Sequence, residues 1–143
     1  MLIYATSTDL AAWTGASAPA NAATLLRSAS LLIRTETTAA LYPTDTTGLP
    51  TDATTLQAFK DAACAQAAFW SAAGIDPASG GISTIAPTRR KKVGSAELEY
   101  DTSAQAAAAQ QVVLRAATHR LCAEAYQILT GQNLLTGQPW VFG

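Results

Sequence analysis

Residues 52–74 read DATTLQAFKDAACAQAAFWSAAG, and this stretch decides the fold class. Asp52 is a good helix N-cap, because a short carboxylate accepts the backbone N–H groups that the first turn leaves without partners. Leu56, Phe59, Ala63, Ala67 and Trp70 follow at steps of three and four, the period of one helix face. Lys60 and Asp61 fall off that stripe. Gly74 supplies the left-handed residue that commonly ends a helix. The spacing therefore predicts a capped helix over 53–73. Phe59, Phe69 and Trp70 are read as core aromatics rather than as a cofactor cradle.

Three more stretches carry the same period. Ser7-Thr8-Asp9 opens a first short helix, with any of the three as its cap, and Thr14-Gly15 closes it. A second helix is expected from about Ala20 to Ala40, with Leu25, Leu26, Ala29, Leu32 and Ile33 inward, Arg27, Arg34 and Glu36 on other faces, and Pro43 as its stop. A fourth is expected from about Ala104 to Thr130, carrying Leu114, Ala117, Leu121, Ala125 and Ile128 and ended by Gly131. The second, third and fourth helices should share one core around Leu32, Phe59, Ala63, Trp70, Leu114 and Leu121. The fold class is thus mainly α: a small bundle of about four helices with a β-hairpin insert before the last long helix. At 143 residues, one domain spanning 1–143 is the expectation.

The insert, about residues 80–101, breaks the helical pattern. Arg89-Arg90-Lys91-Lys92 holds four of the nine basic residues. After Gly94-Ser95, Ala96, Leu98 and Tyr100 alternate with Glu97, Glu99 and Asp101, which is strand periodicity. A two-residue turn at Gly94-Ser95 sets Val93 opposite Ala96, Lys92 opposite Glu97 and Arg90 opposite Glu99. Opposite charges across a ladder stabilise it by roughly 0.2–1 kcal/mol per pair. A lone two-stranded ribbon is marginal in water and needs a neighbour. The last residues, 137–143, form an apolar tail in which Trp140, Val141 and Phe142 are candidate docking groups.

Composition narrows the function classes. Charged residues make up 13%, about half the usual share of roughly 25%, while hydrophobic residues make up 49%. A surface this poor in charge is best hidden against copies of itself or a partner. The net charge of −1 creates no global field toward nucleic acid. Met1-Leu2-Ile3-Tyr4 lacks the basic start and long apolar run of a signal peptide, and no stretch approaches the ~20 apolar residues of a membrane span, so a chain made in the cytoplasm with no membrane partner is expected.

Catalytic chemistry finds no constellation. His119, the single histidine, falls on the far side of the fourth helical pattern from Leu121, with no Ser or Cys nucleophile in a recognisable motif beside it. It is read as a surface or subunit-contact residue. Cys64 and Cys122 are read as small apolar residues, a disulfide being the alternative. Together with His119 they lack the paired spacing of a zinc site, and Gly80-Gly81 is not followed by a phosphate-loop lysine. No enzyme activity, cofactor or metal is expected. The basic run at Arg89–Lys92 is the one feature with nucleic-acid character, and it lacks the interleaved aromatics that stack bases.

The order of segments also carries a resemblance. Tyr4-Ala5-Thr6-Ser7-Thr8-Asp9-Leu10-Ala11-Ala12-Trp13 opens the chain, and Pro19-Ala20-Asn21-Ala22-Ala23-Thr24-Leu25-Leu26-Arg27-Ser28-Ala29-Ser30 follows. Leu49-Pro50-Thr51-Asp52, Lys60-Asp61-Ala62-Ala63-Cys64-Ala65-Gln66, Trp70 and Gly74 come next, and the set closes with Val93-Gly94-Ser95 and Ala125-Tyr126-Gln127-Ile128-Leu129. Nearly the whole chain in this order resembles the head-to-tail adaptor (head-tail connector) proteins of tailed bacteriophages, particularly those infecting actinobacteria; the Arg89–Lys92 run and the Trp140–Phe142 tail are less typical of them. The resemblance implies a structural virion protein that forms an oligomeric, commonly dodecameric, ring beneath the capsid portal. Its partners would be the portal and the next neck, stopper or tail protein. Packaged double-stranded DNA would pass through the lumen without sequence readout. Arg89, Arg90, Lys91, Lys92, Glu97, Glu99, Trp140, Val141 and Phe142 are the candidate interface residues. A small DNA-binding or scaffolding module using residues 89–92 is the alternative.

Overall fold

The computed structural model describes residues 1–80, 82–83, 90–93, 96–99 and 104–135. Within them the chain is mainly helical: α1 (Ser7–Thr14), α2 (Ala22–Glu36), α3 (Ala53–Ala73), α4 (Ala104–Thr118) and α5 (Ala123–Gly131). Two short antiparallel pairs lie between α3 and α4. The first joins β1 (Ile75–Asp76) to β2 (Ile82–Ser83) around a single 3₁₀ turn at Pro77–Ser79. The second joins β3 (Arg90–Val93) to β4 (Ala96–Glu99).

α3 is the central element, packed by α1, α2 and α5. Every residue from Ala62 to Ala67 is buried. A helix covered around its circumference must be apolar on all faces, and the run of small alanines lets three neighbours approach it closely. Its ends follow the local chemistry. The Asp52 carboxylate accepts the Thr55 N–H at 2.8 Å, and Gly74 adopts the left-handed conformation with its N–H donating to the carbonyls of Trp70 and Ser71.

The other boundaries depart from the sequence reading in instructive ways. α1 is capped by Thr6, one residue earlier than expected. Thr6 Oγ1 accepts the Asp9 N–H at 3.2 Å while Asp9 accepts the Thr6 N–H at 2.8 Å, a reciprocal capping box. Asp9 then reaches α3 through an ion pair with Lys60 at 3.2 Å. α2 ends at Glu36, well short of Ala40. The β-branched run that follows is a poor helix former; Thr37 Oγ1 donates back to the Ile33 carbonyl at 2.8 Å and Thr38 Oγ1 to Thr35 at 2.8 Å, closing the helix before Pro43 bears on it.

The core combines Leu25, Leu26, Ala29 and Ile33 of α2 with Phe59, Ala63 and Trp70 of α3 and Ala125 and Leu129 of α5. Leu32, Leu114 and Leu121 pack on its margin and are only partly buried. Phe69 is a correction: it is 41% exposed, because the residue next to buried Trp70 is turned about 100° around the helix. The N-terminal segment also enters the core. Tyr4 stacks on Phe59 with centroids 4.8 Å apart, and its N–H donates to buried Ser30 Oγ at 3.1 Å.

The largest correction concerns the last helix. One helix was expected over 104–130; the structure has two, with an elbow at residues 119–122. No glycine or proline lies anywhere in that stretch. The elbow is made by α3. Gln66, fully buried, accepts the Cys122 N–H on Oε1 at 2.7 Å and points its amide nitrogen at the Arg120 carbonyl, 3.5 Å away. One turn later Trp70 Nε1–H donates to the Ala117 carbonyl at 3.0 Å. Two side chains four residues apart thus take up backbone groups that helix termini leave unsatisfied, and Cys122 serves as the new N-cap, its Sγ 3.5 Å from the Ala125 N–H. Past α5, Asn133 takes a left-handed φ of 53°, the Leu134 N–H donates to the Leu129 carbonyl at 3.0 Å, and Leu134 and Leu135 turn back into the core.

Candidate interaction surfaces

Of the candidate interface residues, Arg90, Lys91 and Lys92 lie on β3 and Glu97 and Glu99 on β4. The register is the one expected: Arg90 opposite Glu99, Lys91 opposite Leu98, Lys92 opposite Glu97, Val93 opposite Ala96. Each cation at position 90 or 92 therefore has an acidic residue directly across the ladder, where opposite charges stabilise the pairing. Arg89 and the tail residues Trp140, Val141 and Phe142 lie outside the described residues.

The described part of the bundle leaves large apolar side chains uncovered on every helix. Trp13 on α1, Leu31 on α2, Phe69 on α3, Val112 and Val113 on α4 and Tyr126 on α5 are all exposed. Isolated exposed apolar residues are ordinary. In this chain they coincide with very few charges to separate them, and one ion pair, Lys60–Asp9, is found among the described residues. Sequence periodicity did not single out α4's outward valines, since in a continuous helix they flank the Leu114 stripe.

Among the described residues, two concave regions flank the bundle. One, of about 400 Å³, is lined by Leu31, Leu32 and Glu36 of α2, Trp70, Pro77 and Gly80, and Thr118 with His119 at the elbow. His119 is exposed there and lies past the end of α4 rather than on a helix face. The other, of about 600 Å³, runs between the start of α3 and α5, lined by Ala53, Gln57, Ala58, Asp61, Ile128 and Gly131 among others.

Cys64 and Cys122 are free thiols. Burial pushes Cys64 up to about 11 and raises Cys122 above the ordinary thiol range. Both are therefore protonated at neutral pH, and a protonated thiol is a poor nucleophile and metal ligand. Among the described residues no three His, Cys, Asp or Glu side chains converge as metal ligands, and no helix is long and apolar enough to cross a membrane. Gln66 was missed as a site residue. The available signal was a polar side chain four positions before Trp70, on a face that is otherwise apolar. Comparison of the chain with protein-family models, curated proteins and solved structures returns no match.

Proposed function

We propose that this chain is a structural adaptor subunit that assembles into a ring, joins a phage portal to the neck or tail, and continues the DNA channel. Its place of action is then the virion, and its role is assembly rather than catalysis. The observation that carries this reading is the uncovered apolar surface distributed over all five described helices in a chain with only 13% charged residues. A ring subunit needs two different flanks and two ends that meet partners, and a surface of this kind serves all of them. The small bundle with a β3–β4 ribbon before its last helices, and the ordered resemblance over nearly the whole sequence, support the same reading.

The DNA-binding alternative draws on Arg89–Lys92. The ladder register weighs against it, because Arg90 and Lys92 stand opposite Glu99 and Glu97, so the ribbon carries acidic positions beside its basic ones and less net positive charge to draw phosphate.

The test combines the purified chain with a portal ring and measures the mass of the product. Removing residues 80–101 and bridging the gap should leave a folded helical domain that no longer assembles into particles. If that deletion enters particles normally, the ribbon is not an assembly arm. If the complete chain binds no portal and particles form intact without it, the adaptor reading is wrong. A steep salt-dependent affinity for free duplex DNA would favour the alternative.

A further inference from the structure

Among the described residues, the two most exposed large apolar side chains on any helix lie on α4. Val112 is 68% and Val113 66% exposed, and Ala108, Ala109, Arg115 and Ala116 are exposed beside them. Ala108, Val112, Arg115 and Ala116 share one face by their spacing, while Leu114, Ala117 and Thr118 turn toward the bundle. Arg115 is the sole charged residue in α4's fifteen, and exposed Arg120 follows at the elbow. Among the described residues neither arginine has an ion-pair partner. The face is thus apolar with a basic end.

The groove between α3 and α5 has the complementary character. Its walls mix Ala53, Ala58 and Ile128 with uncharged polar side chains, and the lining holds no Lys or Arg but does hold Asp61, whose Oδ1 accepts the Gln57 amide at 2.8 Å. Asp52 precedes Ala53 at the cap of α3, and Glu124 stands one turn before Ile128 on α5; both are exposed. Lys60, the nearest cation in sequence, is already engaged by Asp9.

We infer that the outer face of α4 seats in the α3–α5 groove of a second copy of this chain, with Val112 against the apolar residues of its walls and Arg115 and Arg120 facing the acids at Asp61 and Glu124. This rests on the ring reading above and names its subunit contact. Pairing α4 with α4 would give the arginines no acid, since α4 contains none. Face and groove are different surfaces of one chain, so the contact is head-to-tail, the type that generates rings.

Charge reversal tests the inference, read by sedimentation of the full chain up to roughly 1 mM, where even weak association registers. Arg115→Glu and Asp61→Arg should each weaken self-association at least roughly tenfold through like-charge juxtaposition. The two together in one chain should restore it to within about threefold. Val112→Asp should weaken it as well, and Glu124→Arg stands in for Asp61→Arg if that variant melts early by circular dichroism. A wild-type chain that stays monomeric overturns this contact, and portal-bound mass then judges the ring reading independently. Normal assembly by Arg115→Glu and Val112→Asp places the subunit contact elsewhere while leaving the ring reading standing. A double reversal no better than either single also overturns it.

Discussion

Replacing Gln66 with leucine isolates the interaction that divides the last helical stretch into α4 and α5. Leucine nearly fills the same space, so the transfer and cavity terms of a truncation stay small. What is lost is polar: the Cys122 N–H, held by Gln66 Oε1 at 2.7 Å, and the weaker approach to the Arg120 carbonyl at 3.5 Å. Gln66 is fully buried, so water does not replace it at once. Leaving a buried donor unsatisfied costs about 1–3 kcal/mol; taking about 2 kcal/mol, a domain of this length should melt roughly 4–8 °C lower. Thermal unfolding followed by far-ultraviolet circular dichroism measures the loss. Amide exchange at Cys122 supplies a local readout and should quicken ahead of Phe59 or Ala63. An unchanged melting temperature with undiminished protection at Cys122 would refute the reasoning, since the elbow would then be held by something other than Gln66.

Trp70→Ala should destabilise the chain by ~3–5 kcal/mol through lost burial and a cavity, whereas Trp70→Phe, which mainly removes the donor to the Ala117 carbonyl, should cost about 1–3 kcal/mol; equal melting curves for the two variants would contradict both assignments. Truncation after Gln138 removes Trp140, Val141 and Phe142, which the adaptor reading assigns to partner docking. The expected result is unchanged melting with lost portal binding, because aromatic anchors at interfaces often contribute ~2 kcal/mol or more each; a clear drop in the isolated subunit's stability would instead mean that the tail packs on its own bundle. Stability should also fall in alkali. Burial raises Cys64 from 9.0 to about 11 and Tyr4 from 10.0 to about 12, so the unfolded chain releases these protons first; the stabilisation is complete below about pH 9 and is lost progressively as pH rises through about 12. Cys64→Ala should flatten the decline between pH 9 and 11, and an unaltered slope there would remove Cys64 as its source.

α3 and the β3–β4 ribbon were legible in the sequence because their signals are local. Asp52 and Gly74 mark the ends of α3 by the hydrogen bonds that a helix terminus lacks, and Leu56, Phe59, Ala63 and Trp70 give the face. The ribbon's register follows from a two-residue connection and alternating residues on one strand, so Lys92 had to meet Glu97 once the strands paired. The buried role of Leu25, Leu26 and Ile33 follows equally from spacing.

Tertiary structure decided the elbow, the exposure of Phe69 and the surfaces available for assembly. From Ala104 to Thr130 every local preference permits one unbroken helix, with neither glycine nor proline to interrupt it. The break exists because Gln66 and Trp70, nearly fifty or more residues away in the chain, accept and donate hydrogen bonds at 2.7 and 3.0 Å to the backbone at Cys122 and Ala117. Periodicity reports which side chains share a face; it carries no information about a distant donor or acceptor that competes for the helix's own backbone groups. Periodicity did place Leu114 and Leu121 on the inward stripe and left Val112 and Val113 off it; how far the valines stand uncovered is set by where α3 holds the end of α4.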